Sequence, residues 1–275
     1  MLMILCDLHT HSLNSFDAEN TVDEMCRAAI ARGLEAIAVT DHCEAPFISC
    51  GEDCEFGSFD RQIPQSVRDA HQAAEKYKGK LRVLCGMELG EPMHDPEQTA
   101  HALGYGDFDF ILASVHNLRG RDDFYFMDFS KVSVDEILRE YFDELAETAA
   151  FPDFDSLAHL TYPLRYIVER TGVYPDLSPY TGQIENIFKI LIKNQKALEI
   201  NVSGLFKPMN TTLPDLPLLR MYRELGGRLI TVGTDAHTAA MVGKGLEEGL
   251  SAAREAGFDS YAVYRSHTPH LVPIK

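Results

Sequence analysis

Short, nearly continuous apolar runs alternate along this chain with longer amphipathic stretches. Seven runs are predicted as strands: 3–8, 36–40, 81–86, 108–114, 155–159, 197–201 and 228–233. Runs without polar alternation suit parallel strands covered on both faces. The stretches between them carry helix signals. Thr21-x-x-Glu24 is a capping box ahead of 22–32, which stops at Gly33, and Ser133-x-x-Glu136 opens 134–149. Further helices are expected over 64–77, 180–193, 216–225 and 241–256, with Gly226-Gly227 and Gly257 ending the last two. This alternation is the signature of βα units. Segments 43–61, 90–106 and 117–131 read as long loops, which in a compact domain usually carry function. The tail 258–275, with Pro269 and Pro273, is expected to pack across the barrel as an extra strand or cap. With no repeat or linker, one domain over 1–275 is expected.

Ionisable residues cluster where these strands end. The first runs into Asp7-Leu8-His9-Thr10-His11, the second into Asp41-His42, and Glu88 follows the third. His116 follows the fourth, His159 ends the fifth, Asn201 the sixth, and Asp235 and His237 follow the seventh. Residues i and i+2 of an extended chain point the same way, so His9 with His11, or Asp235 with His237, aim two ligands at one point. In a (β/α) barrel the strand C-termini ring one mouth, where chemistry is done. Asp17, six residues past His11, is within reach of it. Imidazoles mixed with carboxylates suit Zn, Mn or Fe(II). So many ligands exceed one tetrahedral ion and suit a cluster of two or three bridged by Glu88. His71, His94, His101, His267 and His270 lie in helices, loops or the tail and read as ordinary residues.

Composition narrows the field. The 275 residues are 45% hydrophobic and 24% charged, ordinary for a globular chain. A formal charge of −17 argues against a nucleic-acid surface, and no apolar run is long enough to span a bilayer. The start, Met1-Leu2-Met3-Ile4, lacks a basic leader, so a cytoplasmic location is expected. Cys50-x-x-x-Cys54 offers a metal or disulfide spacing, but free thiols are the favoured reading.

In order, His9-x-His11, Thr40-Asp41-His42, Gly86-Met87-Glu88, Ser114-Val115-His116, His159 and Thr234-Asp235-Ala236-His237 resemble the blocks of the PHP (polymerase and histidinol phosphatase) superfamily along the whole chain. Ser-Val-His-Asn before Asp123-Phe124-Tyr125-Phe126, and Glu199-Ile200-Asn201-Val202-Ser203-Gly204-Leu205, are similar to its histidinol-phosphate phosphatases. The resemblance implies a distorted (βα)7 TIM-like barrel with a trinuclear centre. His9, His11, Glu88 and Asp235 would hold one ion; Asp17, His42 and His237 a second; Glu88, His116 and His159 a third. Many relatives carry His where this chain has Asp17.

The reaction this implies is hydrolysis of L-histidinol phosphate by a metal-bridging hydroxide, with His42, Glu88 and Asp235 at the catalytic centre. The alternative is another PHP phosphoesterase acting on phosphotyrosine, a nucleotide or another small ester. An amidohydrolase would want a bridging Lys at a strand end, and none stands there. No Cys-x5-Arg nucleophile loop is seen, the one such spacing, Cys26 to Arg32, falling in the predicted helix 22–32, and no Walker A sequence is present. Arg165, Lys207 and Arg119 are candidate phosphate donors, and Glu44, Glu91 or Tyr162 candidate contacts for the rest of the substrate.

Overall fold

The computed structural model describes residues 4–53 and 56–275; Met3 and Cys54, used in the sequence reading, lie outside that range. Its centre is a parallel barrel. Strand β1 (Cys6–Thr10) pairs with β2 (Ala36–Val39), β2 with β4 (Arg82–Gly90), and β4 with β5 (Phe110–Ser114). The order continues through β6 (Ser156–Leu157) and β7 (Ala197–Asn201) to β8 (Ile230–Gly233). The barrel closes just past the last strand. Asp235 N–H donates to the His9 carbonyl at 2.8 Å and His11 N–H to the Ala236 carbonyl at 2.9 Å. This closure brings the two ends of the sequence pattern together.

A short strand not expected from the sequence, β3 (His42–Glu44), continues the line of β2 along the upper half of β4. Its register sets His42 opposite Glu88, so two metal-ligand candidates become side-by-side neighbours. β4 runs on to Gly90, four residues beyond its expected end at 86, because β3 and β5 flank that extension. Conversely, β6 is only two residues long, and the expected strand stops short of His159.

Helices α1 (Val22–Ala31) and α4 (Val134–Ala150) form behind their caps. Helix α2 (Phe59–Lys76) starts earlier than Pro64. Phe59, Ile63, Val67 and Ala70 form one buried stripe at helical spacing, and this packing outweighs the backbone bond lost at Pro64. Helix α3 (Pro96–Leu103) lies in the expected loop, capped by Asp95 accepting from Gln98 N–H at 3.1 Å. Helix α5 (Tyr162–Thr171), also not expected, ends at Gly172 with φ 69°. Helices α6 (Thr181–Lys193) and α7 (Leu216–Glu224) follow. Helix α8 (Leu246–Glu255) starts later than 241, because Gly243 and Gly245 take left-handed φ of 74° and 88°. Among the described residues no helix is long and apolar enough to cross a membrane.

The tail forms an antiparallel hairpin, β9 (Ser260–Arg265) with β10 (Thr268–Pro273). It closes the floor, the N-terminal end of the strands. Tyr261 Oη donates to the Ile4 carbonyl at 3.0 Å, and His267 N–H to the Asp109 carbonyl at 2.9 Å. The expected cap therefore seals the end opposite the histidines.

Candidate metal centre

The side chains that follow the strands meet at the mouth in three sets of atoms around Glu88. Glu88 Oε2 lies 3.2 Å from His9 Nε2 and 3.5 Å from His11 Nε2; Asp235 Oδ1 is 3.7 and 3.4 Å from the same nitrogens. Glu88 Oε1 lies 3.2 Å from His116 Nε2 and 2.8 Å from His159 Nε2, themselves 3.4 Å apart. His42 Nε2 and His237 Nε2 are also 3.4 Å apart, with Asp17 Oδ2 3.2 Å from the latter and Asp17 Oδ1 3.8 Å from the former. His42 Nδ1 turns to Glu88 Oε2 at 3.0 Å.

The outer ring nitrogens are already held. His9 Nδ1 meets Glu199 Oε1 at 2.7 Å, His116 Nδ1 meets Glu44 Oε1 at 3.2 Å, and His11 Nδ1 meets Ser15 Oγ at 3.2 Å. His237 Nδ1 meets the Asp235 carbonyl at 2.9 Å. Partners of this kind fix ring orientation and leave Nε2 facing inward. Inside the cluster, His9 Nε2, His11 Nε2, His42 Nδ1 and Glu88 Oε2 are buried without a hydrogen bond. Unpaired buried polar atoms are costly, and a cation relieves that cost. Two imidazole nitrogens about 2.0–2.1 Å from one tetrahedral ion stand about 3.3 Å apart, which matches the facing pairs. The donor set fits divalent metal ions.

Electrostatics agree. Burial would raise Glu88, but His9, His116 and His42 hold its carboxyl well below the usual range. Burial would likewise raise Asp235; the Arg165 guanidinium and His9 hold it well down. Asp235 sits at φ 55°, a strained position for a non-glycine residue, pinned by the barrel-closing bonds. Close packing leaves no room at Gly233: a Cβ there would come 2.3 Å from His9 Cβ and 2.6 Å from Glu199 Oε1.

A cavity of about 480 Å³ opens beside the cluster. Its walls are Phe16, Phe56, Tyr125, Phe126, Tyr162 and Tyr166, with Asp17, Glu44 and Asp123 as acids and no lysine or arginine among the described lining residues. Arg165 is buried; its Nη2 donates to Asp235 Oδ2 at 2.7 Å and to Ser203 Oγ at 2.5 Å. Its planar group lies over the Tyr162 ring, 5.2 Å from the centroid.

Other candidates sit elsewhere. Arg119 turns to α4, with Nη2 on Glu147 Oε2 at 2.7 Å and on the Met93 carbonyl at 3.0 Å, and does not line the cavity. Lys207 is exposed after a 3-10 turn and makes no side-chain hydrogen bond or ion pair among the described residues. Glu91 is wholly buried behind His116, whose N–H it accepts at 2.5 Å, so it does not line the cavity; Glu44 does. Burial, then the neighbouring Glu44, pushes the Glu91 carboxyl well up. Asp41 faces away from the cluster and takes Ser12 Oγ and Ser15 Oγ, each at 2.8 Å. Asn201 binds Ser203 and Glu199 rather than the cluster. Cys50 is exposed and free.

Sequence reasoning assigned no role to three residues that the structure puts to use. Glu199 orients His9 and also accepts the His159 N–H at 2.8 Å. Its signal was a lone acid inside an otherwise buried strand. Asp7 accepts from Thr234 N–H at 2.9 Å and Gly243 N–H at 2.8 Å, tying the first strand to the last. Tyr166 lines the cavity from α5 and hydrogen-bonds Tyr162 at 2.9 Å.

A family model for the PHP domain matches residues 7–203. The chain is 30% identical to a probable histidinol-phosphatase of Thermotoga maritima, over 94% of this chain and 95% of that one. It is also 30% identical to a histidinol-phosphatase of Lactococcus lactis, over 94% and 93%. A solved structure of histidinol phosphate phosphatase from Lactococcus lactis, complexed with zinc, L-histidinol and phosphate, superposes with a TM-score of 0.82 at 26% identity, covering 98% of this chain and 100% of that one. A putative histidinol phosphatase from Listeria monocytogenes shares the fold at TM-score 0.73 and 18% identity, over 89% of this chain and 99% of that one. With the fold, the ligand blocks and the family model in agreement, this chain belongs to the PHP-domain family.

Proposed function

We infer that the chain is a metal-dependent phosphatase that hydrolyses L-histidinol phosphate to L-histidinol and phosphate. The observation that carries this reading is the Glu88-centred cluster of unpaired buried donors opening onto an aromatic, acidic cavity. The histidinol-phosphatase relatives, one of them solved with zinc, histidinol and phosphate, support the substrate.

We assign three divalent ions to the centre. His9, His11, Glu88 and Asp235 would hold the first; Asp17, His42 and His237 the second; Glu88, His116 and His159 the third. Zinc is the favoured metal, since a relative binds it and the donors are mostly imidazole; manganese and iron are its competitors. Bound there, such ions supply Lewis acidity toward phosphoryl oxygens and lower the pKa of the attacking water.

The protein's own part is positioning and charge. Glu88 bridges two of the three ligand sets and fixes their spacing. Arg165 holds Asp235 with Nη2, and Nη1, which makes no hydrogen bond among the described residues, is assigned to a phosphoryl oxygen. Water attacks phosphorus, the bond from phosphorus to the ester oxygen breaks, and the proton ends on the departing alcohol. The cavity acids Glu44 and Asp123 and its aromatic walls would receive the cationic, flat leaving group. The test is phosphate release by the purified protein with zinc, manganese or iron(II) added separately. Histidinol phosphate is expected to lead a panel of nucleotide, phosphotyrosine and sugar phosphates. A different ester in first place overturns the substrate, and no release from any ester with any metal overturns the phosphatase.

A further inference from the structure

The cavity wall formed by residues 123–129 is attached at two places. Its near end is built onto a ligand candidate: Phe124 N–H donates to the His116 carbonyl at 3.1 Å, and Asn117 bridges Asp123. Phe124 is buried, with its ring against Tyr141 and Tyr162. The residues that face the cavity have no such burial. Tyr125 and Phe126 are 57% and 60% exposed, so packing alone does not fix them. Within the turn, Asp123 accepts from Tyr125 N–H at 2.6 Å and from Phe126 N–H at 2.8 Å, and the Tyr125 ring meets Tyr166 edge-on; the backbone beyond the turn is tied down by Arg170. One guanidinium nitrogen donates to the Met127 carbonyl and the other to the Tyr125 carbonyl. The same group lies over the Tyr125 and Phe129 rings, 6.0 and 5.9 Å from their centroids. A rigid fork on two carbonyls two residues apart sets the path of the turn between them.

Arg170 stands on α5, and that helix touches the rest of the site as well. Tyr162 packs on His116 and His159, each with centroids 4.8 Å away, Arg165 binds Asp235, and Tyr166 lines the cavity. Spacings of three, four and eight residues put these side chains on one face. The helix therefore joins the metal centre to the substrate wall.

We propose that Arg170 is a positioning residue for leaving-group selectivity. From α5 it holds Tyr125 and Phe126 at the distance from the metal centre that a cationic, flat alcohol requires. The proposal rests on the phosphatase reading above. It assigns no contact between Arg170 and substrate.

The test uses full-length protein loaded with zinc, as wild type, Arg170→Met, Arg170→Lys and Tyr125→Ala. Phosphate release is measured from histidinol phosphate and from glycerol 3-phosphate, an ester of an uncharged alcohol, with bound metal quantified in each protein. In Arg170→Met the ratio of kcat/KM between the two esters is expected to fall about tenfold or more, chiefly through KM for histidinol phosphate. Arg170→Lys keeps the charge but cannot fork, and is expected to recover only part of the ratio. Tyr125→Ala is expected to move the ratio the same way. Equal losses on both esters, a loss tracking bound metal, or a ratio within about twofold of wild type overturns the proposal. Should Arg170→Met not fold, Arg170→Lys and Tyr125→Ala decide by the same criterion. Wild type that releases phosphate from both esters without preference overturns the selectivity proposal alone, whereas release from neither overturns the phosphatase reading with it.

Discussion

At the mouth of the barrel, histidines and carboxylates face one another with buried Nε2 and Oε atoms that find no hydrogen bond. At the floor the same residue types meet and are satisfied. Asp155 Oδ2 accepts from Ile111 N–H at 2.8 Å and pairs with His267 Nδ1 at 2.9 Å. Asp109 accepts from Cys85 N–H at 3.2 Å and Ser266 N–H at 3.0 Å. The floor uses its polar groups to close the structure. The mouth leaves His9 Nε2, His11 Nε2, His42 Nδ1 and Glu88 Oε2 unpaired, at a cost that a bound cation removes. Thus the mark of a site here is the state of each atom's hydrogen bonding, rather than the presence of histidine beside acid. His94 makes the same point: its Nε2 meets Glu144 Oε2 at 2.6 Å, a complete pair away from the cluster.

This contrast can be broken most directly at Glu88. Glu88→Gln keeps the shape but removes the charge that faces His9, His11, His42, His116 and His159. Phosphate release is expected to fall about 10³-fold, with bound metal measured by elemental analysis falling alongside. Activity near wild type would show that the mouth is no more functional than the floor. One step out, Glu199→Gln weakens the hold on His9 Nδ1 and is expected to reduce metal affinity or turnover about 10–100-fold, read by metal titration. Since Gln can still accept a hydrogen bond, its effect should stay below that of Glu88→Gln. The smallest effect belongs to the floor. His267→Ala removes one half-exposed partner of Asp155 and is expected to cost at most about 1 kcal/mol in denaturant unfolding. Its phosphate release should match wild type; a loss like that of Glu199→Gln would mean the two ends are coupled.

The same contrast explains what was readable in advance. Period and caps located the strands and helices, the family resemblance supplied the barrel, and the ligand candidates lie at strand ends because a parallel barrel gathers those ends. Helix α5 was not readable that way: its start, Thr161-Tyr162-Pro163, carries no capping box. The strand β3 was equally hidden, since three residues have no period. Arg119 has the right chemistry for phosphate, yet α4 presents Glu144 and Glu147 to it first. Local sequence holds no record of such a competition.

The sequence by itself determined the alternation of strand and helix, and with it the ring of imidazoles and acids at strand ends, because side-chain direction follows local backbone period. Only the tertiary structure decided which ring nitrogen faces inward, which arginine is free of surface acids, and which aromatic wall stands beside the centre. Those outcomes depend on partners distant in the chain, such as Glu199 for His9 and Arg170 for Tyr125, and a pairing across the fold leaves no period in the sequence.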